Sequence, residues 1–259
     1  MAFYGKVALV TGGASGMGKL AATRLVESGA TVAIVDMDEQ ALSQAAAHSN
    51  KVIAFKCDVS DPEAVTKMVA EVESTLGPID RLTHCAAIMP GQSLKEMTIE
   101  TINTQMSINY GGTVNMVKTV WPLMESRGRG DIIMFGSMAG EVLTHNLGAY
   151  CASKAATNAF AEVLHYENLE SPIRFLLVCP PMVNTPLINQ AVDHGPGSLA
   201  GAREKGRMAS PESIIDASEA GLEKGKWRVT PGEAGFMMLW RRLLPGVLWR
   251  VMANANMPG

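Results

Sequence analysis

"KVALVTGGASGMGKLAATRLVESG" (residues 6–29) decides the fold. It opens with a short β-branched apolar run, "KVALV" (6–10), of the kind carried by a strand buried on both faces. A glycine-rich turn, "TGGASGMG" (11–18), follows. "MGKLAATRLVESG" (17–29) then spaces its apolar residues at helical intervals and stops on a glycine.

The alternation continues outward from this unit. Strands are predicted at 31–36, 51–59, 79–87, 130–137 and 173–180, with a weak last one at 226–230. Helices are predicted at 38–48, 61–77, about 99–126, 149–170 and 210–225. Asp61 and Ser210 stand as N-caps, with Pro62 and Pro211 at the first helical positions. Apolar strands alternating with helices require a parallel sheet covered on both faces. The reading is therefore α/β: one domain over 1–259, a Rossmann-type doubly wound parallel sheet of about seven strands.

The 259 residues are ample for a sizeable core. A net charge of −3 gives no electrostatic argument for nucleic acid. No apolar run reaches the ~18 residues that cross a bilayer, and the N-terminal apolar run is too short for a secretory signal, so the chain reads as cytoplasmic. Cys57, Cys85, Cys151 and Cys179 lie far apart without metal-type spacing, and the five histidines form no ligand pattern. No metal is expected.

Glycines at 12, 16 and 18 let the chain turn tightly and let a pyrophosphate approach the backbone at a helix N-terminus. The spacing is not G-x-G-x-x-G, and a glycine-rich loop also serves as a plain turn. Asp36 ends the second strand, twenty residues after Gly16. A carboxylate there can accept hydrogen bonds from an adenosine ribose, or it can cap the helix that follows. An anion at this place repels a 2′-phosphate, which favours NAD over NADP.

Together these features resemble the short-chain dehydrogenase/reductase family over roughly residues 5–186. The family's T-G-x-x-x-G-x-G matches Thr11 to Gly18. The resemblance implies a cofactor site made of Gly12, Ser15, Gly16, Met17, Gly18, Asp36, Asp58, Val59, Ala86, Ala87, Tyr150, Lys154, Val183 and Thr185. It implies catalytic roles for Asn109 in "INYGG", Ser137 at the end of the fifth strand, and Tyr150 and Lys154 in "YCASK" (150–154). Ser137 and Tyr150 are 13 residues apart, as is usual in the family. Two departures stand out. "HCAA" (84–87) replaces N-N-A-G, exchanging groups that tie the sheet together for His84 and Cys85. Pro181 replaces a glycine in the loop over the nicotinamide.

Residues four apart share a helix face, so Tyr150 and Lys154 can enter one site. Lowering a phenol from pH ~10 to ~7 requires about 4 kcal/mol. A positive charge at ~4 Å supplies on the order of that at an effective dielectric near 20, so Lys154 and the positive nicotinamide ring together could provide the shift. Tyr150 then becomes the general acid/base, Ser137 holds the substrate oxygen, and Asn109 anchors a water beside Lys154.

The substrate-pocket candidates are Met89, Met138, Val142, Leu143, His145, Met182 and Leu187. They favour an apolar secondary alcohol or ketone. Segment 189–209 reads as a substrate lid or a plain surface loop. The end, "GFMMLWRRLLPGVLWRVMANANMPG" (235–259), is atypical. Phe236, Trp240, Leu243, Leu244, Val247, Leu248 and Val251 fall near one helical face, and Pro245 interrupts it. Covering the substrate mouth, a subunit contact, a membrane surface and packing on its own sheet are all open for it. A homodimer or homotetramer is implied through the helices at about 104–126 and 150–170. Other functions compatible with these residues are a non-catalytic NAD sensor and a membrane-associated reductase of a lipid-like substrate.

Overall fold

The computed structural model describes residues 3–191, 195, 201, 204 and 206–255. Seven parallel strands form one sheet in the order β3-β2-β1-β4-β5-β6-β7. They are β1 (Val7–Thr11), β2 (Thr31–Asp36), β3 (Val52–Lys56), β4 (Ile79–His84), β5 (Gly130–Phe135), β6 (Ile173–Val178) and β7 (Arg228–Val229). From β1 the chain winds to β2 and β3, then crosses to β4 on the other side. The carboxyl ends of β1 and β4 therefore diverge into a crevice.

Side chains alternate between two buried faces. Leu9, Val35, Leu82, Ile132 and Leu177 face α3 (Pro62–Thr75), α5 (Gly112–Ser126) and α6 (Gly148–Glu167). Val10 and Ile34 face α1 (Gly16–Glu27) and α2 (Glu39–Ala46). Ile133 and Val178 face α7 (Pro211–Glu223). Asp61 and Ser210 cap α3 and α7: Asp61 accepts from the N–H groups of Glu63 and Ala64, and Ser210 from that of Ser213.

Strands β3 and β4 end earlier than their apolar patterns. Beyond Lys56 and His84 the chain turns outward, and Cys57, Val59, Cys85, Ala86 and Ala87 line the crevice instead. The pattern runs on because the crevice wall is itself apolar. The predicted helix at 99–126 is α4 (Ile99–Met106) and α5 joined by a π-helical turn, Ser107–Gly111. Of the segment read as a lid, residues 192–194, 196–200, 202–203 and 205 lie outside the described residues, as does His194.

The C-terminal segment divides into α8 (Ala234–Leu243) and α9 (Pro245–Ala255). Proline lacks the N–H that a continuous helix would use, and it fits the first position of a new one. The single apolar face expected there is thus broken. Met238 and Leu248 are buried in the main core, while Phe236, Leu243, Leu244, Val247 and Val251 are exposed.

Candidate active site

The β1–α1 turn builds one wall of the crevice. Gly12 and Gly16 have φ of 62° and 52°, a region that disfavours side chains. A Cβ on Gly18 would lie 2.2 Å from the Gly12 carbonyl oxygen, so α1 can approach the turn this closely only with glycine there. Ser15 sits at the N-cap of α1 but makes no side-chain capping bond. The first-turn N–H groups are thus left for an anion.

Asp36 reaches the same crevice from the end of β2. Its Oδ2 accepts from Ala14 N at 3.3 Å and its Oδ1 from Met37 N at 2.8 Å. The cap of α2 is Asp38, whose carboxylate accepts from Ala41 N at 2.9 Å. The capping role is therefore filled, and Asp36 remains a crevice residue. Asp58 and Val59 line the far end, where Asp58 Oδ1 accepts from Ser60 N at 2.8 Å and Ser60 Oγ at 2.7 Å. Cradle, uncapped helix terminus and carboxylate fit the dinucleotide that the resemblance implies.

At "HCAA" the sheet is tied after all. Thr11 Oγ1 accepts from Cys85 N and Ala86 N, both at 3.2 Å, and lies 2.8 Å from His84 Nδ1. The Thr11 hydroxyl and the His84 ring share a hydrogen bond that joins the ends of β1 and β4. Burial, with the Lys154 charge adding to it, pushes His84 down to about 3, so the ring is neutral. The expected loss of a tie is corrected: histidine takes over that role across β1 and β4.

Tyr150 and Lys154 rise from the first turns of α6, and both are buried. Lys154 Nζ donates to the Phe135 carbonyl at 2.8 Å and stands 5.8 Å from the centroid of the Tyr150 ring. Burial pulls the ammonium down to about 8. The same burial pushes the Tyr150 phenol up to about 12, against a lowering hydrogen bond from Ser137 and with Cys151 also raising it. Without cofactor, then, the phenol is protonated, and the expected lowering rests on the nicotinamide charge acting together with Lys154. The ammonium is held by a carbonyl, and desolvation outweighs attraction at the phenol.

Ser137 is set by its own neighbours. Its Oγ accepts from Ala139 N at 3.0 Å, capping the short turn Met138–Gly140. Asn158 holds its backbone, donating from Nδ2 to Ser137 O at 3.0 Å and accepting from Ser137 N at 3.4 Å. A Cβ on Gly136 would lie 2.0 Å from Asn158 Oδ1, so the strand end can meet α6 only through glycine. Sequence reasoning missed Asn158, although Tyr150, Lys154 and Asn158 follow one another at four-residue steps on one helix face.

Asn109 is held by partners that the sequence did not name. It lies in the π-helical turn, fully buried. Its side chain accepts from Ile88 N at 2.8 Å and donates to Ile88 O and Ser153 Oγ, both at 2.9 Å. Its carbonyl accepts from Thr113 at 2.8 Å and Thr157 at 3.3 Å. These bonds clamp the crevice wall after β4 and fix Asn109 in place.

A second, mostly apolar pocket opens beside the crevice and shares Met17, Cys85, Ala87, Thr185 and Leu187 with it. Ser137, Tyr150 and Lys154 line this pocket, together with the expected Met89, Met138, Met182 and Leu187. Pro181 lines it too, and so does Val183, which was expected in the cofactor crevice. Val142, Leu143 and His145 do not line it: Val142 is buried in the core, Leu143 is exposed, and His145 stacks on Trp249 at 5.2 Å. Leu147, Ile188 and Met252 take their places. Met252 comes from α9, in the segment for which covering the substrate mouth was one reading, though the residue itself was not singled out.

A family model described as short chain dehydrogenase matches residues 6–195. The chain is 30% identical over 217 residues to glycine betaine reductase ATRR of Emericella nidulans, covering 82% of this chain and 17% of that protein. It thus spans about a sixth of that relative's length. It is 28% identical over 247 residues to 3-ketodihydrosphingosine reductase of Bos taurus, covering 92% of this chain and 74% of that one. A solved short chain dehydrogenase/reductase from Burkholderia phymatum, in complex with NAD, matches with a TM-score of 0.82 at 22% identity. That match covers 100% of this chain and 99% of the other, and it concerns the fold.

Proposed function

The chain belongs to the short chain dehydrogenase family of oxidoreductases, and from that membership we propose that it interconverts an apolar secondary alcohol and its ketone with NAD(H). The observation that carries the reading is a junction. Ser137, Tyr150 and Lys154 are buried together where the glycine-walled crevice meets an apolar pocket.

NAD, when bound, supplies the hydride acceptor and a positively charged ring. Everything else falls to the chain. Asp36 receives the adenosine ribose hydroxyls and rejects a 2′-phosphate by charge. The N-terminus of α1 and the glycine turn receive the pyrophosphate. Ser137, fixed by Asn158 and Ala139, donates to the substrate oxygen and sets its angle. Tyr150 takes the hydroxyl proton in oxidation and returns it in reduction. Lys154 holds positive charge beneath the site and stabilises the phenolate as it forms. The methionines and leucines around them exclude water and accept an apolar substituent. Exposed Val163, Tyr166 and Leu169 on or just beyond α6 support the homodimer or homotetramer expected through that helix.

The test is to mix the protein with NAD and a panel of apolar secondary alcohols and follow NADH absorbance. Turnover that prefers apolar over polyhydroxy substrates is expected. NAD bound without turnover across steroid, terpenoid and aryl alcohols would instead establish a sensor.

A further inference from the structure

We propose that α8 and α9 dock the protein on an anionic lipid surface. A helix on the outside of a protein normally turns polar residues to solvent. Here the outward positions are Phe236, Leu239, Leu243, Leu244, Val247 and Val251, with Phe236 and Leu243 each 67% exposed. Ala234, Met238 and Leu248 point inward and are buried, so the pair is anchored to the body of the protein. Its outer face is apolar by composition and not through unfolding.

Charge selects the occupant. Residues 234–255 carry Arg241, Arg242 and Arg250 and no aspartate or glutamate. Arg242 and Arg250 are exposed. Arginine beside exposed tryptophan, phenylalanine and leucine suits the boundary between acyl chains and acidic headgroups. A second copy of the chain fits less well. Two-fold pairing sets this patch against itself, and with it arginine against arginine. The exposed apolar residues Val163, Tyr166 and Leu169 have the opposite surroundings, Glu162, Glu167 and Glu170. Among the described residues no helix is long and apolar enough to cross a membrane, so the contact is with the surface.

The patch is joined to the candidate active site. Met252 of α9 lines the apolar pocket, and Trp249 stacks on His145 in the loop between Ser137 and Tyr150. A lipid-dissolved alcohol would thus meet the helix that walls the pocket. That last step rests on the proposed activity; the docking does not.

The test is cosedimentation of the full chain with phosphatidylcholine vesicles, with and without about one-third phosphatidylglycerol, a content that gives a negative surface potential. Binding to the anionic vesicles, weakened by salt, is expected. Arg242→Gln with Arg250→Gln should weaken it on the order of 25-fold, at about one factor of five per arginine. Leu243→Ser with Val247→Ser should remove it, and both positions are exposed enough for the fold to survive, as circular dichroism can verify. Absence of binding to anionic vesicles, or equal binding by the arginine variant, overturns the proposal. An oligomer that shrinks in the leucine–valine variant without any vesicle binding also overturns it and assigns the face to a second copy. None of these readouts needs turnover, so their failure leaves the proposed activity standing.

Discussion

The two ends of the sheet bury charge in opposite ways. At the amino ends of β4, β5 and β6, Arg81 is 0% exposed and pairs with Asp131 at 2.9 Å and Glu219 at 2.8 Å. Arg174 completes the cluster, 2.7 Å from Asp131. At the carboxyl ends, Lys154 is equally buried but leans on a neutral carbonyl, near a neutral histidine and a neutral phenol. No carboxylate among the described residues forms a salt bridge with it. The first cluster is charge-compensated, and breaking it costs stability. The second is left uncompensated, which destabilises the charged amine but keeps a positive field for a phenolate or a cofactor to use. Only the second end faces the crevice.

Four substitutions would sharpen or break this contrast. Arg81→Met should have the largest effect, destabilising the fold by about 3–5 kcal/mol, because it removes the buried guanidinium that Asp131 and Glu219 share. Denaturant unfolding measures this, and activity per folded molecule should be unchanged. Tyr150→Phe should leave the fold and NAD binding intact while lowering turnover about 10³-fold, the usual worth of a positioned acid/base; initial rates beside a cofactor titration check it.

Lys154→Met should lose turnover but, unlike Arg81→Met, raise the stability of the protein without cofactor by ~1–3 kcal/mol at neutral pH, since it removes a buried charge held below its ordinary range. The wild-type protein carries the matching pH signature. Below pH about 8 both folded and unfolded chains hold the Lys154 proton, and stability does not vary on its account. Between about 8 and the ordinary 10.5, the unfolded chain holds the proton and the folded chain does not, so stability rises with pH. Equal unfolding midpoints for wild type and Lys154→Met at neutral pH would break the contrast. Asp36→Ala should have the smallest effect, shifting the NAD-to-NADP preference about tenfold, the worth of one charge-assisted hydrogen bond. Relative cofactor affinities that stay unchanged would contradict the ribose assignment.

The parts of the molecule readable in sequence are those set by local chemistry. Apolar runs marked the strands, Asp61 and Ser210 marked helix starts, and the glycines marked the turn at the crevice. Spacing also brought Tyr150 and Lys154 to one face of α6. What spacing could not supply was the partner of each polar group. The Lys154 ammonium goes to Phe135, 19 residues earlier, and Asn109 goes to Ile88, 21 residues earlier. His84 meets Thr11 across 73 residues. Met252 reaches the pocket from the far end of the chain. Such long-range choices depend on the sheet order, which places β4 beside β1, and not on any neighbouring residue. The burial of the phenol was out of reach for the same reason: it comes from Met89, Leu147 and Ile188 packed around it, which no i, i+4 rule contains.

The most direct measurement is the ultraviolet difference spectrum of tyrosine ionisation, recorded with and without NAD and compared with Tyr150→Phe. One tyrosine should move from about 12 towards neutrality when NAD binds, and the change should be missing in the variant. A spectrum that NAD leaves unaltered, or the same shift in Tyr150→Phe, would contradict the assignment of Tyr150 as the proton-transferring group.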